Sequence, residues 1–180
     1  MLVPTKNNSS ISITTLTPDA IEQLSEYLQQ LSETTKKRFG PHPYDAYAIN
    51  QLYNSSEKYI GYIARATKTN TIVAYAIIKI GYIDHDKNRL ASYGLNIDHD
   101  KACTFAPSVH DNWQHQGIGQ LMFQFILSNL KSMFIEKIIL WGGVQVNNEA
   151  AVNYYLKNGF KVLGKFEYYG DNYDMIYEIQ

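Results

Sequence analysis

The sequence predicts a mixed α/β (α+β) fold, a twisted sheet with helices on both faces, and three observations predict it. Strand-like and helix-like segments alternate from residue 10 to residue 179 in the order β α α β β β α β α β β, which implies a mixed sheet covered by helices. Tyr59 to Thr67 and Thr71 to Ile83 are rich in β-branched and aromatic residues and flank Lys68-Thr69-Asn70, so they read as a hairpin. The chain's 180 residues suffice for one domain with a substantial core. The expected organisation is a flexible tail over residues 1–8 and a single domain over residues 9–180.

The elements follow in order. Ser10 to Leu16 alternates polar and apolar residues, as a half-buried strand does. Thr17 and Pro18 then suit a helix start, with Thr17 as cap, and Ile21, Leu24, Tyr27, Leu28 and Leu31 recur at helical spacing. A short helix over Ser32 to Arg38 ends at Phe39-Gly40-Pro41-His42-Pro43, where two prolines and a glycine force a turn. Asp45 to Tyr53 adds a helical turn or two, and the hairpin follows. The polar stretch Asp84 to Lys101 carries Ile-Asp-His-Asp-Lys twice, at 83–87 and 97–101, and is expected to form two arms of a further hairpin. Ala102 to Val109 reads as a strand despite Pro107, which places that residue at an edge, a bulge or a point where pairing stops. Beyond it, Ile118, Leu121, Met122, Phe125, Ile126, Leu130 and Met133 form one helix face, read as core. A strand over Lys137 to Val146, a helix from Glu149 and a hairpin turning at Gly170-Asp171-Asn172 complete the chain.

Composition removes several function classes. Sixteen basic residues against 17 acidic ones leave no electrostatic footprint for nucleic acid. Cys103 is the only cysteine, so no intrachain disulfide forms and a reducing, cytoplasmic setting is expected. The amino terminus lacks the apolar run of a signal peptide, and no stretch approaches membrane-spanning length, so no membrane partner is expected. The two Asp-His-Asp triplets, at 84–86 and 98–100, lack a wider ligand set of firm spacing, and no metal is expected there.

The chemistry concentrates in Trp113-Gln114-His115-Gln116-Gly117-Ile118-Gly119-Gln120, a Q-x-x-G-x-G turn entering a helix. Gly117 and Gly119 let the backbone approach a ligand, and the helix start offers unpaired N–H groups and the positive end of its dipole. Together they form a seat for an anion, most often a pyrophosphate. A Walker A loop would need Lys after the glycine, where Gln120 stands, and a dinucleotide fingerprint would need glycine where Met122 stands. A second motif follows: Asn148 to Phe160 fits N-x-x-A-x-x-x-Y-x-x-x-G-F.

With these two motifs in this order over residues 100 to 165, the chain resembles the GCN5-related N-acetyltransferases, the GNAT superfamily. The resemblance implies a mostly antiparallel sheet, acetyl-CoA as co-substrate and an amine acceptor, and it leaves room for a homodimer. It also implies that Gln114, His115, Gln116, Gly117, Ile118 and Gly119 cradle the pyrophosphate and that the backbones of Ser108 and Val109 pair with the pantetheine arm. Pro107 fits the place where the family's strand splays from its neighbour. Asn148 matches an asparagine that helps hold the cofactor, and its simpler role is to cap the helix at Glu149. Tyr155 matches the family's tyrosine near the thioester sulfur, a general acid for the departing thiolate. Counting on four from Ala151 and back four from Gly159 both give Tyr155, which separates it from Tyr154.

The general base is less legible. Many relatives carry a Glu where Thr104 stands, which argues against a direct carboxylate base there. His110 and Asp111 follow the strand, and His42 lies in a proline-flanked loop where the fold walls the acceptor pocket, so His42, Thr104 and His110 are the candidate acceptor contacts. Two rivals remain: a non-catalytic acyl-CoA-binding sensor, and a phosphate-binding protein unrelated to coenzyme A.

Overall fold

A computed structural model describes residues 2–6 and 9–180 of the chain. The chain divides into two compact units, residues 1–78 with 106–128 and residues 79–105 with 129–180. The two are interleaved along the chain, and two strands and one helix begin in one unit and end in the other.

In the first unit four strands lie in the order β1 (Leu2–Pro4), β2 (Ser10–Thr15), β3 (Tyr59–Ala66) and β4 (Ile72–Ile80). The flexible tail expected over residues 1–8 is therefore corrected in part: Leu2–Pro4 pairs antiparallel with β2, in the register Val3↔Ile11. Residues 1, 7 and 8 lie outside the described residues. In β2 alternate side chains, Ile11 and Ile13, are fully buried, as period-two patterning requires. Strand β4 is buried on both faces from Ile72 to Ile78, so its apolar residues run continuously.

Helices α1 (Ile21–Gln29), α2 (Glu33–Arg38) and α3 (Ala46–Ser55) belong to this unit. Helix α1 buries Ile21, Leu24, Tyr27 and Leu28, the stripe its spacing predicts. Ser32 caps α2 by accepting from the Thr35 N–H, and Asp45 caps α3 by accepting from the Ala48 N–H at 2.8 Å. Thr17 does not cap. Pro18–Ala20 forms a 3-10 turn first, and the Thr17 hydroxyl bonds to the Asp19 carboxylate, which holds that acid below its ordinary pKa.

In the second unit the start of β5 (Ala102–Val109) pairs parallel with β6 (Lys137–Leu140), and β6 pairs antiparallel with β9 (Asp171–Glu178). Strand β9 also pairs with β7 (Val144–Gln145) and β8 (Lys161–Glu167). The single strand expected over Lys137 to Val146 is corrected to two, because Gly142 and Gly143 both take positive φ, 66° and 72°, and break the extended run.

The hairpin expected over residues 84–101 is absent. The first Asp-His-Asp forms a 3-10 turn, Asp84–Asp86, which helix α4 (Lys87–Ser92) follows, and the second supplies the cap Asp98 and the first two residues of another, His99–Lys101. Local bonds win there: Asp86 N–H donates to the Ile83 carbonyl at 2.8 Å, and the Asp98 carboxylate accepts from the Asp100 N–H at 3.0 Å. Leu90 of α4 packs with Ile139 and Ile176. Arg89 beside it meets Asp174 at 2.7 Å and Asp86 at 2.8 Å, and its guanidinium lies 3.8 Å from the centre of the Phe166 ring. Tyr93 donates to the same fully buried Asp174 at 2.8 Å. A one-and-a-half-turn helix with a single buried leucine is thus held by charge. Among the described residues no helix is long and apolar enough to cross a membrane.

Candidate active site

The glycine turn lies in the first unit. After β5 the chain makes a 3-10 turn, Asp111–Trp113, and then enters α5 (Ile118–Ser132) at Ile118. His115 adopts φ 62° and Gly117 φ 84°, so the turn alternates into the left-handed region twice within three residues. For His115 that costs on the order of 1 kcal/mol, because its β-carbon crowds the following carbonyl. Strain of this kind collects at ligand sites. The N–H groups of His115, Gln116 and Gly117 have no hydrogen-bond partner among the described residues. Ile118 is fully buried, so only its backbone is available to a ligand.

Side chains around the turn brace it. Gln114 Nε2 donates to the Val109 carbonyl at 3.2 Å, and Gln116 Nε2 donates to the Asn112 carbonyl at 3.2 Å. Asp111 accepts from the Ser32 N–H at 3.0 Å, the Ser32 hydroxyl at 2.7 Å and the Thr35 hydroxyl at 2.8 Å. Partial burial opposes its ionisation, yet these bonds prevail and hold its carboxyl below the usual range. Asp111 is therefore a tie to the start of α2 and a poor proton acceptor. The His110 Nδ1 accepts from the Asn112 N–H at 3.2 Å, which leaves Nε2 as its remaining ring nitrogen.

Strand β5 carries the next group. Its register with β6 ends at Phe105↔Leu140, two residues before Pro107, while the strand itself runs on to Val109. A proline just beyond the last pair is where pairing stops, as its missing N–H predicts. The Ser108 hydroxyl donates to the Tyr75 carbonyl at 3.3 Å and accepts from the Tyr27 hydroxyl at 3.0 Å, so its side chain serves the core and only its backbone remains for a ligand. Burial pushes the Tyr27 phenol above its ordinary pKa, against the Ser108 bond.

His42 is buried and both ring nitrogens are engaged. Nδ1 donates to the Pro43 carbonyl at 2.7 Å, which makes Nε2 the acceptor from the Tyr75 hydroxyl at 2.8 Å. Tyr75 in turn accepts from Tyr53 at 2.6 Å. Burial lowers the His42 pKa, outweighing the Pro43 bond, and the imidazole is neutral. In the structure His42 anchors a Tyr53–Tyr75–His42 chain.

The remaining residues lie in the second unit. Thr104 is 1% exposed and its hydroxyl donates to the Gly81 carbonyl at 2.7 Å, so this acceptor-contact candidate is a core residue. Asn148 caps α6 (Glu149–Lys157), its side-chain oxygen accepting from the Ala151 N–H at 3.4 Å. Tyr155 on α6 is 8% exposed, with its ring edge-on to Tyr154 at 5.2 Å and Phe160 at 5.3 Å. Its hydroxyl has no hydrogen-bond partner among the described residues. Burial alone pushes the phenol well above its ordinary pKa, so it stays protonated.

The sequence missed the Ser108–Tyr27 bond, the tyrosine chain on His42 and the Asp111 tie, each a long-range pairing of polar tips on residues that pattern as core or loop.

Known proteins share this fold. The family model described as "Acetyltransferase (GNAT) family" matches residues 24–160. No curated protein matches the chain by sequence. Among solved structures, the GNAT domain of S. lividans PAT superposes with a TM-score of 0.76 at 15% identity, covering 99% of this chain and 96% of that one. The yncA protein of Salmonella typhimurium, solved with its cofactor acetyl-CoA, gives 0.69 at 12% identity over 94% of each chain. The PaiA N-acetyltransferase of Thermoplasma acidophilum, in complex with coenzyme A, gives 0.68 at 18% identity over 93% of this chain and 98% of that one. At these identities the structures establish the shared fold.

Proposed function

The chain belongs to the GNAT acetyltransferase family, and on that premise we propose that it moves an acetyl group from acetyl-CoA to a primary amine by direct attack within a ternary complex. The observation that carries the reading is the turn from Gln114 to Gly119. Two left-handed residues and three N–H groups without a partner among the described residues stand at the positive end of a 15-residue helix, at the motif position where the family holds a pyrophosphate.

In this reading the backbones of Ser108 and Val109 orient the pantetheine arm and thioester, and Asn148 supports the cofactor beside its capping role. An N–H directed at the thioester oxygen favours the charge that develops there. The amine nitrogen bonds to the acetyl carbon, the carbon–sulfur bond breaks, and the phenolic proton of Tyr155 goes to the departing sulfur. The amine's own proton leaves through His110 or solvent. Thr104, engaged with Gly81, offers no carboxylate base, and that observation keeps a second reading in play: a sensor that binds acyl-CoA without turning it over.

Thiol release from acetyl-CoA, measured with and without a panel of small amines, amino sugars and peptide amines, tests the function. Release that depends on an amine supports transfer. Saturable acetyl-CoA binding with no release on any amine of the panel would favour the sensor, and no binding would remove both readings.

A further inference from the structure

The amino-terminal segment lies against the glycine turn, within the same unit. The Lys6 N–H donates to the Gln116 carbonyl at 3.3 Å, inside the Q-x-x-G-x-G turn. A β-carbon built on Gly117 would find the Lys6 side chain as its only near neighbour among the described residues, Cε at 3.7 Å and Cγ at 3.9 Å. The aliphatic stem of Lys6 thus crosses the backbone position that Gly117 leaves open. Its ammonium makes no ion pair among the described residues, and the side chain is exposed.

Charge completes the argument. From His110 to Gln120 there is no Lys or Arg, and Gln114 stands where the motif admits arginine. A diphosphate seated on this turn would meet amide dipoles and no full positive charge from the turn itself. Lys6 brings one. Its position is fixed by pairing of β1 with β2 and by the bond from the Thr5 N–H to the Ser9 carbonyl at 2.7 Å.

We propose that Lys6 is a pyrophosphate ligand of the acyl-CoA site, delivered by strand β1 to a glycine turn that lacks its own cation. The inference rests on the acyl-CoA reading above. It converts the amino-terminal segment from an appendage into part of the cofactor cradle.

Calorimetric dissociation constants for the parent, Lys6→Met and Lys6→Arg test it, with acetyl-CoA, 3′-dephospho-acetyl-CoA and S-acetylpantetheine as probes. Lys6→Met should weaken acetyl-CoA about 10-fold at low salt, the scale of one charge-assisted contact at an exposed site. The deficit should shrink as salt rises, and Lys6→Arg should restore most of the affinity. It should persist with the 3′-dephospho compound and vanish with S-acetylpantetheine, which has no diphosphate to contact. Equal affinity of parent and Lys6→Met for acetyl-CoA would overturn the proposal and leave the acyl-CoA reading standing. A deficit that disappears with the 3′-dephospho compound, or is equal for all three probes, would overturn the pyrophosphate assignment. A parent that binds no acetyl-CoA would overturn both.

Discussion

Replacing Tyr155 with Phe separates stability from catalysis, because the structure assigns the hydroxyl no folding partner. A hydrogen-bonded buried hydroxyl contributes about 1 kcal/mol to stability, and its removal would lower Tm. The Tyr155 hydroxyl bonds to nothing among the described residues, while its ring packs on Tyr154 and Phe160. Phe keeps that packing and removes an unpaired polar atom. Tyr155→Phe should therefore be as stable as the parent or more so, with a Tm change between zero and about +4 °C for a chain of this size. Affinity for acetyl-CoA should be nearly unchanged. Turnover should fall about 10- to 1,000-fold if proton delivery to the thiolate limits the rate. Tyr154→Phe is the control for turnover, since that residue lies one position away on α6 and matches no motif position. The assays are scanning calorimetry for stability and steady-state thiol release with an identified acceptor for turnover. A lower Tm with full turnover would refute the argument at both points, making Tyr155 a structural residue with an unseen partner.

Three further outcomes follow from the geometry. Gly119→Glu should abolish the thermal stabilisation by acetyl-CoA, which for the parent is about 2.7 kcal/mol at 100 times Kd; an undiminished shift would show that the turn is not the phosphate site. Arg89→Met should destabilise by about 3 kcal/mol, since it strips the fully buried Asp174 of its guanidinium, and Tm should fall by about 6–12 °C, readable by calorimetry. Acid should destabilise through His42: its folded pKa is depressed by burial, so the unfolded chain binds the proton first, and stability present above about pH 6.5 is lost as pH falls through the folded pKa. Urea titrations between pH 7.5 and 5 should show a smaller loss in His42→Gln than in the parent.

What the sequence made legible was local or periodic, and what it hid was neither. The turn at Gly117 and the helix at Glu149 are legible because glycine and asparagine act on their own backbone: φ 84° at Gly117 and the Asn148 cap are decided within four residues. Tyr155 is legible because its helical distance from Ala151 and Gly159 is fixed by the α-helix. The stretch from 84 to 101 is misread for the opposite reason. Helix α4 has one buried leucine, and its hold comes from Asp174, 85 residues further along, which no periodicity announces. Gly142-Gly143 did announce itself, and reading that pair as a break would have divided the strand correctly. His42 shows the limit most clearly. A proline-flanked histidine reads as a candidate acceptor contact, and the sequence does not show that Tyr75, 33 residues away, takes its free nitrogen. Lys6 is the reverse case. A lysine in a polar leader carries no sequence signal, and only the pairing of Val3 with Ile11 brings its charge to the glycine turn. Whether a polar residue is scaffold or ligand depends on whether its polar tip finds a partner in the fold. Among the described residues Tyr155 and Lys6 do not, and that shared property makes them the two side chains on which the function is best tested.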